Sequence, residues 1–179
     1  MVPNSNCGKL LAVALLFTSA SPAQGASAAK EIAGYNKIKV ELTKNAKKCG
    51  FESPETFEKY LRKDLEAIGL TQYSQSIVEI SLEVGGVAYG ALETQCAIDV
   101  NLDLRTTLTA ANINTNNQAV RQAVDRLGAF PVSLYEVGAF AVSTTLYTVY
   151  DNRNITKAES EVINIIQRLV KRFEDERRK

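Results

Sequence analysis

The chain has 179 residues, with 21 Lys and Arg against 20 Asp and Glu, and no histidine. A hydrophobic share of 45% and a charged share of 23% fit a globular chain and argue against collagen-like repeats, low-complexity disorder and dense disulfide scaffolds. Lack of histidine excludes Ser-His-Asp and Cys-His catalysis and every His-ligated metal site, and the absence of an apolar run of 18 or more residues argues against a transmembrane helix.

Residues 1–28 read as a secretory signal peptide. Lys9 is their only charged side chain, and it precedes the apolar run Leu10 to Phe17. A tail of small residues follows, with small-x-small cleavage sites after Ala28 (Ala26-Ser27-Ala28) and after Gly25 (Ala23-Gln24-Gly25), the first preferred. Residues 29–179 are then expected to form a single α+β domain. Its charges balance once Lys9 is lost, so it has no global attraction to nucleic acid or to an anionic membrane. Cys7 precedes the apolar run and leaves with the signal; a lipid-modified cysteine would follow that run. Cys49 and Cys96 remain, an even pair that suggests one disulfide in an exported chain. Closing that loop is worth about 4 kcal/mol in the chain-entropy model.

The elements follow in order. Ile38, Val40 and Leu42 alternate with Lys37, Lys39 and Glu41, a half-buried strand over 35–42. A polar connection over 43–50 carries Cys49. Ser53-Pro54-Glu55 opens a helix over 54–68: an N-cap hydroxyl, a proline at the first helical position and an acid at the positive helix end. Phe57, Leu61, Leu65 and Ile68 recur at helical spacing, and Gly69 suits the C-terminal stop. Val78, Ile80, Leu82 and Val84 alternate with Glu79, Ser81 and Glu83 in a second strand. Gly85-Gly86 reads as a bulge or bend within it, with a turn at Gly90-Ala91. The third strand alternates most cleanly, with Cys96, Ile98, Val100, Leu102 and Leu104 on one face and Asp99, Asn101, Asp103 and Arg105 on the other. A bridge from Cys96 would therefore fasten the loop before the first helix to the buried side of the sheet.

Residues 110–131 form a polar insertion, with a short helix over 117–127 marked by Val120, Ala123, Val124 and Leu127. The stretch 132–150 favours strand by composition. Leu134, Phe140, Val142 and Leu146 suggest its inward face. The opposite stripe, Ala139, Ala141, Ser143, Thr145 and Tyr147, has three readings. The short helix could cover it, a register shift at Gly138 could reverse the faces, or it could be an uncharged docking surface for a partner. Thr156 with Glu159 forms a capping box for a last helix over 156–175, whose apolar stripe includes Val162, Ile166, Leu169 and Phe173, with a charged end expected to fray. Asn154-Ile155-Thr156 is one glycosylation sequon.

The order β-α-β-β-(short α)-β-α, with polar outward residues on three strands, predicts an α+β two-layer sandwich. An approximately four-stranded, mostly antiparallel sheet would carry two main helices on one face, and its first strand–helix–strand unit could be parallel.

Chemistry is sparse. Glu79, Glu83, Asp99 and Asp103 could share a sheet face and bind Ca²⁺ or act as an acid/base pair, or be a solvated face paired with Lys37, Lys39 or Arg105. Neither Gly85-Gly86 nor Gly90 is followed by the residues of a phosphate loop, and no Ser-x-x-Lys follows residue 28. No catalytic residue, cofactor or metal ligand is assigned. The expectation is an exported, non-catalytic accessory or protein-binding module of a bacterial periplasm or envelope, or of the secreted fraction. Its partner would be another envelope or secreted protein, or a second copy. The alternative is a small-molecule or lipid carrier with a pocket between sheet and helices near Phe57, Leu61, Phe140 and Ile166; a carboxylate-based hydrolase comes behind both.

Overall fold

The computed structural model describes residues 32–89, 95–109, 116–143 and 156–179. The first strand of the sequence reading is two pieces. β1 (Gly34–Tyr35) and β2 (Lys37–Leu42) are separated at Asn36. A one-turn 3-10 helix, Ala46–Cys49, leads to α1 (Pro54–Ala67). The Ser53 hydroxyl accepts the Glu55 N–H at 3.3 Å, and Gly69 takes the left-handed conformation (φ 77°) just past the helix end, as its position suggested. β3 (Thr71–Gln72) pairs in parallel with β1, a two-residue ladder too short for any hydrophobic period to announce.

β4 (Val78–Tyr89), β5 (Gln95–Leu108) and β6 (Phe130–Ser143) join β2 in a four-stranded sheet of order β2-β4-β5-β6. β2 pairs with β4 in parallel across α1, and the other two ladders are antiparallel, so the fold is α+β with a mostly antiparallel mixed sheet. Between β5 and β6 lies α2 (Gln118–Leu127), capped by the Asn117 side chain, and α3 (Lys157–Arg178) closes the chain. The Thr156–Glu159 capping box forms in both directions, at 3.1 and 2.7 Å. α3 stays helical through the charged end expected to fray. Arg177 reaches back to the Ile68 carbonyl at 3.4 Å and over the Phe173 ring, which holds the last turn to the end of α1.

Both long helices lie on one face of the sheet, α1 against β2 and α3, and α3 against β5 and β6. The inward residues of β4 and β5 are the ones their alternation named. They are buried with Phe57, Leu61 and Leu65 of α1 and Val162, Ile166, Leu169 and Phe173 of α3. Strands of period two turn alternate side chains to opposite faces, so the two long helices cover one face and the mostly polar side chains point to the other.

The Cys49–Cys96 disulfide is present, with the Cα atoms 5.8 Å apart. It revises the reading of Gly86. β4 passes this point in unbroken register with β5, Gly85 opposite Asp99 and Gly86 opposite Ile98, so neither glycine makes a bulge. Gly86 is instead a close approach: a Cβ there would stand 2.8 Å from Cys49 Sγ and 3.2 Å from the Phe51 ring. The missing side chain is the space through which the 3-10 turn and its cysteine reach the inner face.

Cys96→Ala or reduction of the bridge is expected to lower stability by about 2–4 kcal/mol in urea titrations. Gly86→Ala should cost about 1–3 kcal/mol through overpacking, and distinctly less in a Cys49→Ala background. Equal costs in the two backgrounds would separate the glycine from the bridge.

Candidate functional site

Register lays out the outer face in rows. Lys37, Glu79, Arg105 and Ser133 form the first, and Lys39, Ser81, Asp103 and Glu136 the second. This end is laced with polar contacts: Lys37–Glu79 at 2.9 Å, Arg105–Asp103 at 2.8 Å, and Ser133 Oγ donating to Asp103 Oδ1 at 2.8 Å. The four acidic strand residues do share this face, and Glu79 and Asp103 are occupied in these pairs. Among the described residues no group of three or more Cys, Asp or Glu is placed to hold a metal ion.

Toward the other end the face changes character. The next row is Glu41, Glu83, Asn101 and Gly138, then Gly85, Asp99 and Phe140, then Val87, Ala97 and Val142. Phe140 is 67% exposed, Val87 57% and Val142 52%. No lysine or arginine among the described residues pairs with Glu83 or Asp99. A carboxylate oxygen of Asp99 leans over Gly85, 3.0 Å from where a Cβ would stand.

This arrangement corrects the sequence reading of the last strand. Ala139 and Ala141, expected on the outward stripe, stand opposite Val100 and Ile98 and pack against the core. Phe140 and Val142, expected inward, face solvent. Ser143 ends the strand, and Thr145, Tyr147 and Leu146 lie outside the described residues. The register does shift, but not at Gly138: the irregularity falls between Leu104 and Arg105, where Leu134 is the extra residue of β6. Nor does α2 seal the strand with its apolar side: Val124 is buried, but Val120, Ala123 and Leu127 are exposed. The turn at Gly90-Ala91 and Asn154 of the sequon lie outside the described residues; the Thr156 hydroxyl serves as the α3 cap.

The carrier pocket expected between sheet and helices is not lined as anticipated. Phe57, Leu61 and Ile166 are fully buried in the core, whereas Phe140 is on the opposite side of the sheet. A cleft of about 650 Å³ lies elsewhere, beside the β1–β3 ladder, where Ile32, Tyr73, Ile77 and Leu134 contribute apolar walls.

Three titratable groups shifted by burial lie on the helical side, Tyr35 fully buried and Asp64 and Tyr135 half-buried. Burial raises the Tyr35 hydroxyl above its ordinary range, countered by the Arg62 guanidinium. Burial likewise raises Tyr135, which packs against Phe173 with ring centroids 5.1 Å apart. Asp64 on α1 is raised by burial against the opposing pull of Lys63, and one of its carboxylate oxygens is buried without a hydrogen bond.

No protein-family model matches the chain, and no curated protein matches it. Among solved structures it is similar to a minor lipoprotein from Acinetobacter baumannii, whose crystal structure was determined at 2.35 Å. The identity is 15%, the TM-score 0.30, and the match covers 79% of this chain and 91% of that one. A likeness at that TM-score decides nothing about function. No helix among the described residues is long and apolar enough to cross a membrane.

The raised Asp64 carboxyl binds its proton more tightly in the folded than in the unfolded chain. It therefore favours folding at acid pH, and that advantage is lost as pH rises through its ionisation. Asp64→Asn should raise the urea midpoint at pH 7, with the gain shrinking toward pH 3. A gain of the same size at both pH values would exclude desolvation as the cause.

Proposed function

We propose that the protein is an exported, non-catalytic binding module of a bacterial periplasm or envelope, or of the secreted fraction, and that a partner protein docks on the outer sheet face at its Phe140 end. The observation that carries this reading is the exposed Val87 and Val142, in one row with the half-buried Ala97, and the exposed Phe140 beside them, on a face otherwise rich in charged and hydrogen-bonded side chains. An apolar group rimmed by polar residues is the common form of an interaction site. The strand that bears it supports the same reading. β6 is last in the sheet order, and from Val137 to Ser143 it has no charged residue. Export is supported by the signal-like residues 1–28 and by the Cys49–Cys96 bridge, which an oxidising compartment would maintain. A non-catalytic role accords with a chain that has no imidazole to serve as general base.

Two measurements test this. Fractionation with mass determination of the N-terminus should find the protein outside the cytoplasm, starting at Ala29 or Ala26; a full-length chain kept in the cytoplasm would refute export. A photo-reactive residue at Val142 should cross-link the partner in the native fraction, whereas one at Lys39, on the far edge of the sheet, should not. Cross-linking of the same partner with equal yield from both positions would remove the docking face.

The 650 Å³ cleft at Ile32 and Ile77 favours a second reading, a carrier of a small apolar ligand. Native mass spectrometry of protein purified from its own fraction would reveal the bound mass. Perturbation of Tyr73 and Ile77 on ligand addition, with Val142 silent, would favour the carrier.

A further inference from the structure

The end of the outer face that carries Phe140 also contains a shallow depression of about 420 Å³ along β5 and β6, bordered by Asp99, Asn101, Gly138 and Phe140. It is open because residue 138 has no side chain: a Cβ there would stand 3.5 Å from Asn101 Oδ1. The Asn101 amide nitrogen is turned the other way and donates to Glu136 Oε1 at 2.8 Å, which leaves the amide oxygen toward Gly138. Asp99 is directly opposite Phe140 in the register. The side chains bordering the depression thus present two kinds of oxygen acceptor and an aromatic ring, and the one side-chain donor among them, the Asn101 amide, is engaged by Glu136. The cations nearest by register are already engaged, Lys37 with Glu79, Lys39 with Glu41 and Arg105 with Asp103.

We infer that this depression is a socket for a lysine or arginine side chain of the partner, its head on Asp99 and Asn101 and its stem along Phe140. The inference rests on the docking face proposed above and names the chemistry of what docks there. Acceptors without donors select a donor-only group, and an aromatic face beside a carboxylate favours a cation with an apolar stem. A small free cation would leave Val87, Ala97 and Val142 bare. A protein segment would not, because the apolar row lies one strand period beyond the socket. An extended segment running along β6, with a cation and an apolar residue two positions apart, meets both rows at once.

The test uses the mature protein and two synthetic peptides built on Lys-Thr-Val-Thr and Glu-Thr-Val-Thr repeats, followed by amide shift perturbation. The lysine peptide should perturb Ala97, Asp99, Asn101 and residues 138–142, and should weaken as salt rises; the glutamate peptide should not bind there. Asp99→Asn should weaken the lysine peptide about fivefold, as loss of one exposed charge pair implies, and Gly138→Val, which fills the socket, should weaken it further. Lys39→Gln should leave it unchanged. Equal binding of the two peptides, or full affinity in Asp99→Asn, would overturn the socket. The docking face is judged separately, by photo-cross-linking from Val142 in the Asp99→Asn protein. If the native partner still cross-links with undiminished yield, the face stands and the socket falls; if wild-type protein captures nothing from that position, both fall. Urea midpoints of Asp99→Asn and Gly138→Val close to wild type confirm that folding is not what is being read.

Discussion

The bridge from Cys49 to Cys96, seated over Gly86, fixes the relation between the two layers. It places the end of the 3-10 turn on the inner face of β4 and β5, and only a glycine in β4 leaves room for the sulfur. Ser53 follows four positions later and starts α1, so the helix begins directly above the sheet it must cover. Phe51 and Phe57, whose rings meet edge to face at 5.6 Å, pack in the angle between turn and helix. α1 then lies against β2 and α3, and α3 against β5 and β6. With the helices committed to one side, every outward side chain of the sheet must be compatible with water or be covered by something else.

Most of this architecture is written in local patterns. β5 is legible because its inner face takes large apolar residues and its outer face Asp99, Asn101, Asp103 and Arg105, with no bulge over that span. The two long helices are legible from their caps: Ser53 with Pro54, and Thr156 with Glu159. β6 is not, for two physical reasons. The extra residue at Leu134 inverts the alternation midway, so a single parity cannot describe the strand. Size also misleads: past Val137 the inward positions are the small Ala139 and Ala141, while the larger Phe140 and Val142 are turned out. A hydrophobicity reading assumes that the largest apolar residue goes in, and it fails where the register turns that residue out. Gly86 is hard to read for a related reason. A glycine that makes room for a distant disulfide has the same local signature as one that makes a bulge.

The candidate site was legible only as an anomaly in that strand. The sequence reading singled out the last strand for its lack of outward charge, and the structure keeps that strand while exchanging the residues it presents. The ionic contacts on the outer face were more accessible, because Lys37 lies opposite Glu79 as soon as the first strand–helix–strand unit is parallel. The exposed side of α2 was hidden. Its amphipathic spacing implies a packing surface, yet spacing alone does not say whether that surface is covered, and Leu127 is 72% exposed.

The two edges of the sheet show why the Phe140 end carries the functional argument. An open edge invites another strand, and folded proteins defend such edges with charge. β2 is defended in this way, with Lys37, Lys39 and Glu41 on its solvent side. β6 has Pro131 and the Leu134 bulge near its start, and Glu136 after them, so its first half is protected by the same logic. From Val137 onward that protection stops, over the same stretch in which Phe140 and Val142 are turned to solvent and Gly138 leaves the surface open beside Asp99. On the inner side of the same stretch Ala139 and Ala141 are half-buried against the core. A stretch of edge without charge and two exposed apolar side chains coincide within Val137–Ser143, with the unpaired Asp99 opposite Phe140 on the neighbouring strand, whereas β2 carries a charge at every outward position. A docking segment with a cation and an apolar side chain would account for all of them together.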